Sequence, residues 1–516
     1  MKELIQCCIR KGCLIDSELL TLLKDTNPLI CESLIETILS VQNKKILTKD
    51  LFLDNVAKII KIFEELRQTS NNDKKEALED FISNFSLTHP SSQIIRGELK
   101  TNNNNNINII KSYNVQSKKV AVDDFVKYFK ARFIELKNML QERSELVNLT
   151  SINKISSQRQ NVSIIGIIYA IRTTKNKNII LEMEDLTGRI NVLVHNSKEE
   201  MIKKAKELVL DEIIGIRCNG NSEILFANEI LTPGIFIEKL EGKGEGYVAF
   251  IADLHVGSAK FLEEGFNKFV KWLNGEMGDE AQREMGKKVK YLFVVGDLVD
   301  GVGIYPGQEN ELSILDIKAQ YSKVTELFSK IREDMVIIVC PGNHDAIRLA
   351  EPQPQLEREY ARELYKLKNI FFVSNPALIN IQGSGRGTNI LLYHGYSYHY
   401  YANNVDSLRF GGGSKKPESI MSFLLKKRHL APSHGSNLYF PQEFDPLVIN
   451  IIPDVFVSAH VHKSAIAYYN NILTISCSCW QSKTTFQEKV GNEPDFCKVP
   501  LLNLRNNKIN MLDFSE

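Results

Sequence analysis

Five short apolar runs, each ending in a small cluster of residues able to hold a metal, constrain this chain more than any other feature. Ala252-Asp253-Leu254-His255 follows YVAFI, and Gly296-Asp297-Leu298-Val299-Asp300 follows YLFVV. Pro341-Gly342-Asn343-His344-Asp345 follows VIIVC, His394-Gly395 follows NILLY, and Ala459-His460-Val461-His462 follows VFVS. Apolar runs of this length, alternating with amphipathic helical stretches such as Phe261 to Leu273, Lys318 to Ile331 and Gln355 to Leu367, read as the strands of a buried, mixed sheet. Sheets of this kind place their sites at strand ends. Eight of the ten histidines fall between 255 and 462, and five of them stand at the ends of apolar runs. A single Gly-Asn-His-Asp or His-x-His is more often structural than functional; five clusters in this order point to one site.

The residue types fit a pair of cations. In Asp253-x-His255 and His460-x-His462, positions i and i+2 project to the same side of extended backbone and can reach one metal pair. Asp297 has two carboxylate oxygens with which to bridge two ions, and Asn343 offers a neutral amide oxygen. Glycines at 296, 342 and 395 permit the tight turns that bring these side chains together. Imidazole mixed with carboxylate suits Mn, Fe or Zn better than Mg.

The chain has 516 residues, 43% of them hydrophobic, enough at roughly 150 residues per domain for three or four domains. Residues 1–68 read as a small helical domain for docking, with Leu34, Ile35, Ile38 and Leu39 on one helix and Phe52, Val56, Ile59, Ile60 and Phe63 on another. Residues 69–119, with the run Asn102 to Asn106, read as a flexible polar linker. Residues 120–157 hold a connecting helix whose Phe125, Phe129, Phe133, Leu136 and Leu140 recur at helical spacing. Within 158–240, five strands with a helix between the third and fourth have the order of an OB-fold barrel. Residues 245–516 form the α/β domain. The fold class is therefore multidomain α/β.

Net charge is +1, so no global basic field draws the chain to nucleic acid, and any such affinity is local or shared with a partner. Apolar runs stay short of the ~20 residues that span a bilayer. Nine scattered cysteines without a C-x-x-C pair point to reduced thiols in a cytoplasmic protein.

The succession DxH, GD-x-x-D, GNHD, HG and HxH resembles the calcineurin-like binuclear metallophosphoesterases, with Ala459 where that family usually has glycine. The resemblance implies that Asp253, His255 and His462 hold one divalent cation, Asn343, His394 and His460 the other, and that Asp297 bridges them. It implies an activated water attacking phosphorus in line, with His344 as proton donor to the leaving oxygen and Asp345 orienting His344. The segments KKPESIMSFLLKKRHLAP and PDVFVSAHVHK, with the domain order, resemble the small subunits of archaeal family-D DNA polymerases over about 120–516. That resemblance implies a 3′–5′ proofreading exonuclease acting on DNA 3′ ends with Mn²⁺ (Fe²⁺ or Zn²⁺ being the other candidates), and a large subunit that synthesises DNA. A catalytically idle scaffold subunit and an independent DNA repair nuclease are the rival readings.

Three lesser features complete the sequence. Lys415, Lys416, Lys426, Lys427 and Arg428 form a basic stretch around apolar residues, read either as a solvated helix face or as a contact to DNA or the large subunit. Gly411-Gly412-Gly413 lacks phosphate-loop spacing and reads as a turn. Cys477 and Cys479 read as buried core thiols.

Overall fold

The computed structural model describes residues 2–515, except for scattered positions between 17 and 93, short stretches at 100–106, 115–117, 236–243 and 383–385, and residue 490. The asparagine run and most of the segments 48–68 and 79–93 lie outside the described residues. The chain divides into two compact units, 1–95 and 96–516.

The first unit contains helices Lys2–Arg10 and Pro28–Gln42 and a parallel pair of two-residue strands, β1 (Leu14–Ile15) and β2 (Ile46–Leu47). Its core takes Leu4, Ile30, Leu34, Ile35 and Ile38 from the helices, with Phe52, Ile59 and Phe63 beyond them.

In the second unit, two sheets pack face to face. One has six strands in the order β13-β12-β11-β10-β19-β20: β10 (Tyr247–Ile251), β11 (Val289–Val295), β12 (Val336–Cys340), β13 (Ile370–Phe372), β19 (Lys498–Asn503) and β20 (Ile509–Asp513). The other runs β17-β18-β16-β15-β14-β4-β3: β3 (Ile94–Leu99), β4 (Ile107–Tyr113), β14 (Ala377–Ile381), β15 (Thr388–Leu392), β16 (Val455–Ser458), β17 (Ala465–Tyr469) and β18 (Ile472–Ser476). Period-two projection explains why the central strands are apolar on both faces. On β10, Val248 and Phe250 enter the core between the sheets, while Ala249 and Ile251 pack under helices Glu263–Leu273 and Ile317–Phe328. Cys477 and Cys479 are buried as expected.

Two expectations need correction here. The polar linker does not extend to 119, because β4 pairs antiparallel with β14, Ile379 opposite Ile109 and Ile381 opposite Ile107. Ile107 and Ile109 alternate inward, which places this strand in the sandwich core. The helix expected over Gln355 to Leu367 is reduced to isolated turns and a 3₁₀ turn at Leu364–Lys366. There the Tyr365 hydroxyl donates to the Leu356 carbonyl at 2.5 Å, so the segment closes on itself through a side chain.

The region 160–231 is a closed five-stranded barrel of order β5-β6-β7-β9-β8: β5 (Gln160–Thr173), β6 (Ile179–Glu184), β7 (Arg189–Val194), β8 (Ile213–Gly220) and β9 (Leu225–Leu231). Helix Glu199–Lys206 lies between the third and fourth strands, as the sequence predicts. The connecting helix Val122–Gln141 buries Phe133, Leu136 and Leu140 against Ile165 and Ile213 of the barrel. Among the described residues, no helix is long and apolar enough to cross a membrane.

Candidate metal centre

All five clusters end up together. Asp253 follows β10, Asp297 follows β11 and Asn343 follows β12, while His394 follows β15 and His460 follows β16. The centre therefore draws on the carboxyl ends of strands from both sheets. Asp253, His255 and His462 present ligand atoms within 4.8 Å of one another, as do Asp297, His394 and His460, and His255, Asp297 and His344.

The side chains do not converge by projecting from extended strands. Asp253 (φ 50°), His255 (52°), Asp297 (52°), His460 (70°) and His462 (56°) all adopt the left-handed backbone region. That conformation is uncommon for non-glycine residues, and clusters of such residues mark sites where strain is held by the surroundings. The bonds that hold it are visible: Asp253 N–H donates to the Gly296 carbonyl at 3.0 Å and His255 N–H to the Asp297 carbonyl at 3.1 Å. Two glycines are required by crowding. A Cβ on Gly296 (φ 87°) would run into His394 Nδ1, and one on Gly342 into the Asp297 carboxylate.

Asp297 lies at the middle. Its Oδ2 is 3.3 Å from His394 Nε2 and 3.9 Å from His255 Nε2, and its Oδ1 accepts from the His344 backbone N–H at 2.8 Å. Burial works against its charge, but His394 and His344 outweigh that and hold the carboxyl well below its usual range. Asp253 is fully buried; Oδ2 accepts from His460 N–H at 3.0 Å, while Oδ1 forms no hydrogen bond among the described residues and lies 3.9 Å from His394 Nδ1. Burial pushes this carboxyl up to about 7 against the pull of His394. An orphaned buried carboxylate oxygen is costly unless something positive meets it.

The imidazoles are arranged as ligands. His394 sets Nδ1 2.9 Å from the Val295 carbonyl, which fixes that nitrogen as the donor, and aims Nε2 at Asp297 and, 3.0 Å away, at Asn343 Oδ1. Against burial, the Asp297 carboxylate raises His394 up to about 10, so positive charge is favoured between these groups. His255 Nε2 and His462 Nε2 face each other at 3.1 Å. Burial lowers His460 and His462 well below the ordinary value and keeps them neutral, the form that binds metal. The donor set, the orphaned Asp253 oxygen and the facing imidazole nitrogens fit two divalent cations.

One expected contact is absent. Asp345 does not touch the His344 ring; it accepts from Gly342 N–H at 2.9 Å, Leu298 N–H at 3.2 Å and the Tyr321 hydroxyl at 3.0 Å, and so clamps two ligand-bearing loops. The His344 ring is oriented instead by Nδ1 donating to the Asp300 backbone carbonyl at 2.7 Å.

Residues 246–464 match the calcineurin-like phosphoesterase family. The DNA polymerase II small subunit of Methanothermobacter thermautotrophicus is 42% identical over 396 residues, covering 76% of this chain and 80% of that protein. That of Archaeoglobus fulgidus is 35% identical, covering 82% and 84%, and that of Pyrococcus furiosus 35%, covering 79% and 66%. The chain belongs to the DNA polymerase II small subunit family.

The segment that carries the small-subunit resemblance has a structural task. Lys427 and Arg428 are buried and not free for DNA. Lys427 is buried and pairs with Glu212 at 2.6 Å, and Lys426 pairs with Glu207 at 2.6 Å; both glutamates belong to the barrel region. Arg428 ends helix Pro417–Lys427 at φ 55°, with its guanidinium on the Ile449, Asn450 and Gly234 carbonyls. Next to it, His429 and Arg132 share buried Asp445 at 2.8 and 2.5 Å. The family segment is thus the clasp between the phosphoesterase domain, the barrel and the connecting helix. Lys415 and Lys416 are exposed.

Asp300, Gln308 and Gln481 support the centre from behind His255. Asp300 Oδ1 lies 3.1 Å from His255 Nδ1 and 3.0 Å from Gln481 Nε2, and Oδ2 accepts from Gln308 Nε2 at 3.0 Å. Asp300 closes the GD-x-x-D motif and was legible in principle; neither glutamine stands in any motif.

Proposed function

We propose that this chain is the small subunit of a heteromeric replicative DNA polymerase and supplies its 3′–5′ proofreading exonuclease, with polymerisation assigned to a large subunit. The observation that carries the hydrolytic reading is the convergence of Asp253, His255, Asp297, Asn343, His344, His394, His460 and His462 from both sheets, the complete set for two-metal phosphodiester hydrolysis. A scaffold that had lost catalysis would have no use for five strained ligand backbones.

Asp253, His255 and His462 would hold one divalent cation and Asn343, His394 and His460 the other, with Asp297 between them; Mn²⁺ suits this donor set, with Fe²⁺ or Zn²⁺ as alternatives. When bound, such cations supply Lewis acidity to the phosphate and lower the pKa of a water. His344, with its Nδ1–H committed to the Asp300 carbonyl, would deliver a proton from Nε2 to the departing 3′ oxygen as the imidazolium, a form that the Asp297 carboxylate favours against burial. Asp300 and Asp345 act by positioning. The barrel order supports an OB fold, used here for packing. The first unit supports a docking role, and near-zero charge supports DNA affinity shared with the large subunit. A replication role supports a cytoplasmic location. The test is product identity: with Mn²⁺, the chain alone and with its large subunit should release 5′-mononucleotides from a 3′-mismatched primer–template. Internal nicks or inorganic phosphate as the product would overturn this reading.

A further inference from the structure

His460 has neighbours that the metal chemistry does not use. The Tyr396 ring lies 5.7 Å from it, tilted by 45°, and the His399 ring lies 5.1 Å away, edge to face. Both follow His394 directly, in the turn leading into the short helix Tyr398–Asn404 and in its first residues. His399 is exposed and Tyr396 half-buried. His399 Nδ1 lies 3.1 Å from Ser414 Oγ, which ties this helix to the turn Gly413–Lys415 and leaves Nε2 without a protein partner among the described residues. The exposed Lys415 and Lys416 come immediately after that tie. Among the described residues, neither ammonium forms a hydrogen bond or a close ion pair, although Lys415 is near enough to Glu493 to help lower that carboxyl, and the Tyr396 hydroxyl forms no hydrogen bond. Two rings beside a candidate metal ligand and two exposed ammoniums beyond them have the composition that grips single-stranded nucleic acid, rings for a base and cations for phosphates.

We propose that Tyr396, His399, Lys415 and Lys416 form the subsite for the 3′-terminal nucleotide, the one released with the attacked phosphate. This rests on the exonuclease reading. Hydrolysis forms a bond from water oxygen to phosphorus and breaks the bond to the 3′ oxygen of the preceding nucleotide, which takes its proton from His344. His344 borders His255, with ring centroids 4.6 Å apart, whereas Tyr396 and His399 border His460. The shortened strand therefore leaves on the His344 side, and the terminal nucleotide is held on the His460 side.

The test uses the full chain with Mn²⁺ and a 15-nucleotide single strand whose last base is 2-aminopurine and whose final linkage is a phosphorothioate that resists hydrolysis. Wild-type protein quenches the terminal probe by stacking. Tyr396→Ala with His399→Ala should abolish the quenching and raise Kd about fivefold or more, while Tyr396→Phe keeps the quenching. Lys415→Ala with Lys416→Ala should weaken binding and flatten the log–log salt slope by about 1.4. An unchanged melting temperature in the variants separates lost contacts from lost fold. Quenching and Kd within twofold of wild type in the Tyr396→Ala/His399→Ala protein would overturn the subsite. Failure of the wild-type chain to bind the strand, with and without its large subunit, would instead overturn the exonuclease reading beneath it.

Discussion

His255 and Asp300 form a carboxylate–imidazole pair, with Nδ1 to Oδ1 at 3.1 Å, so that the His255 Nε2 is turned toward His462 and Asp297. Gln308 and Gln481 hold the far side of the carboxylate. Partners of this kind fix a ligand's tautomer and orientation, and their loss costs about 10–100-fold in metal affinity. Asp300→Ala should therefore weaken binding of one Mn²⁺ by that factor and leave the second ion's affinity close to wild type. Mn²⁺ titration followed by electron paramagnetic resonance reads both.

His344 is assigned to the leaving group and not to a metal alone. His344→Ala should lower kcat on an oligonucleotide by about 10²–10⁴-fold, the usual contribution of a placed general acid. With a p-nitrophenyl ester, whose leaving oxygen needs no proton, the loss should shrink to about tenfold or less. An equal loss on both substrates would remove His344 from that role.

The clasp between barrel and phosphoesterase is sensitive to losing half of its buried pair. Glu212 Oε2 accepts from Lys427 at 2.6 Å and from Val209 N–H at 3.2 Å, and Oε1 forms no hydrogen bond among the described residues. Lys427→Ala should destabilise the second unit by about 3–5 kcal/mol, because it strands a buried carboxylate. Lys427→Met combined with Glu212→Leu should recover most of that loss, since an apolar pair incurs no desolvation cost. Urea unfolding of the three proteins makes the comparison.

His429 gives the fold a defined pH response. Its Nδ1 accepts from Ala431 N–H at 2.9 Å and its Nε2 lies 2.8 Å from Asp445, an arrangement that requires the neutral ring. Burial, then nearby Arg132, lowers it to about 4. The unfolded chain takes up this proton near pH 6.5, before the folded chain does. Stability should therefore fall as pH drops from 6.5 to 4, by about 3 kcal/mol in total, and level off below. Urea midpoints for wild type and His429→Gln across pH 7 to 4 should diverge in that window.

Much of the site was legible because metal ligation restricts residue type and the strands announce their own ends: every candidate ligand at 253, 255, 297, 343, 394, 460 and 462 could be named from clusters after apolar runs. How the ligands meet was not legible. The left-handed turns at Asp253 and His462 are held by hydrogen bonds with remote loops, Asp253 N–H to the Gly296 carbonyl and Asp495 N–H to the His462 carbonyl, and no local pattern records them. The strand Ile107–Tyr113 was missed because its partner Ala377–Ile381 lies more than 260 residues away and its asparagine-rich flank reads as linker. Lys427 and Arg428 were misplaced because a basic run looks the same in sequence whether it faces solvent or a buried glutamate on another domain.

The central claim is that the converged centre shortens DNA from its 3′ end. A 3′-mismatched primer–template labelled at both ends, incubated with Mn²⁺ and the chain assembled with its large subunit, tests it most directly. Stepwise 3′ shortening by wild type that is lost in both His344→Ala and Asp297→Asn is the predicted result. Intact primer in every preparation, with the complex still assembled, would contradict it and leave the centre a relic within a scaffold.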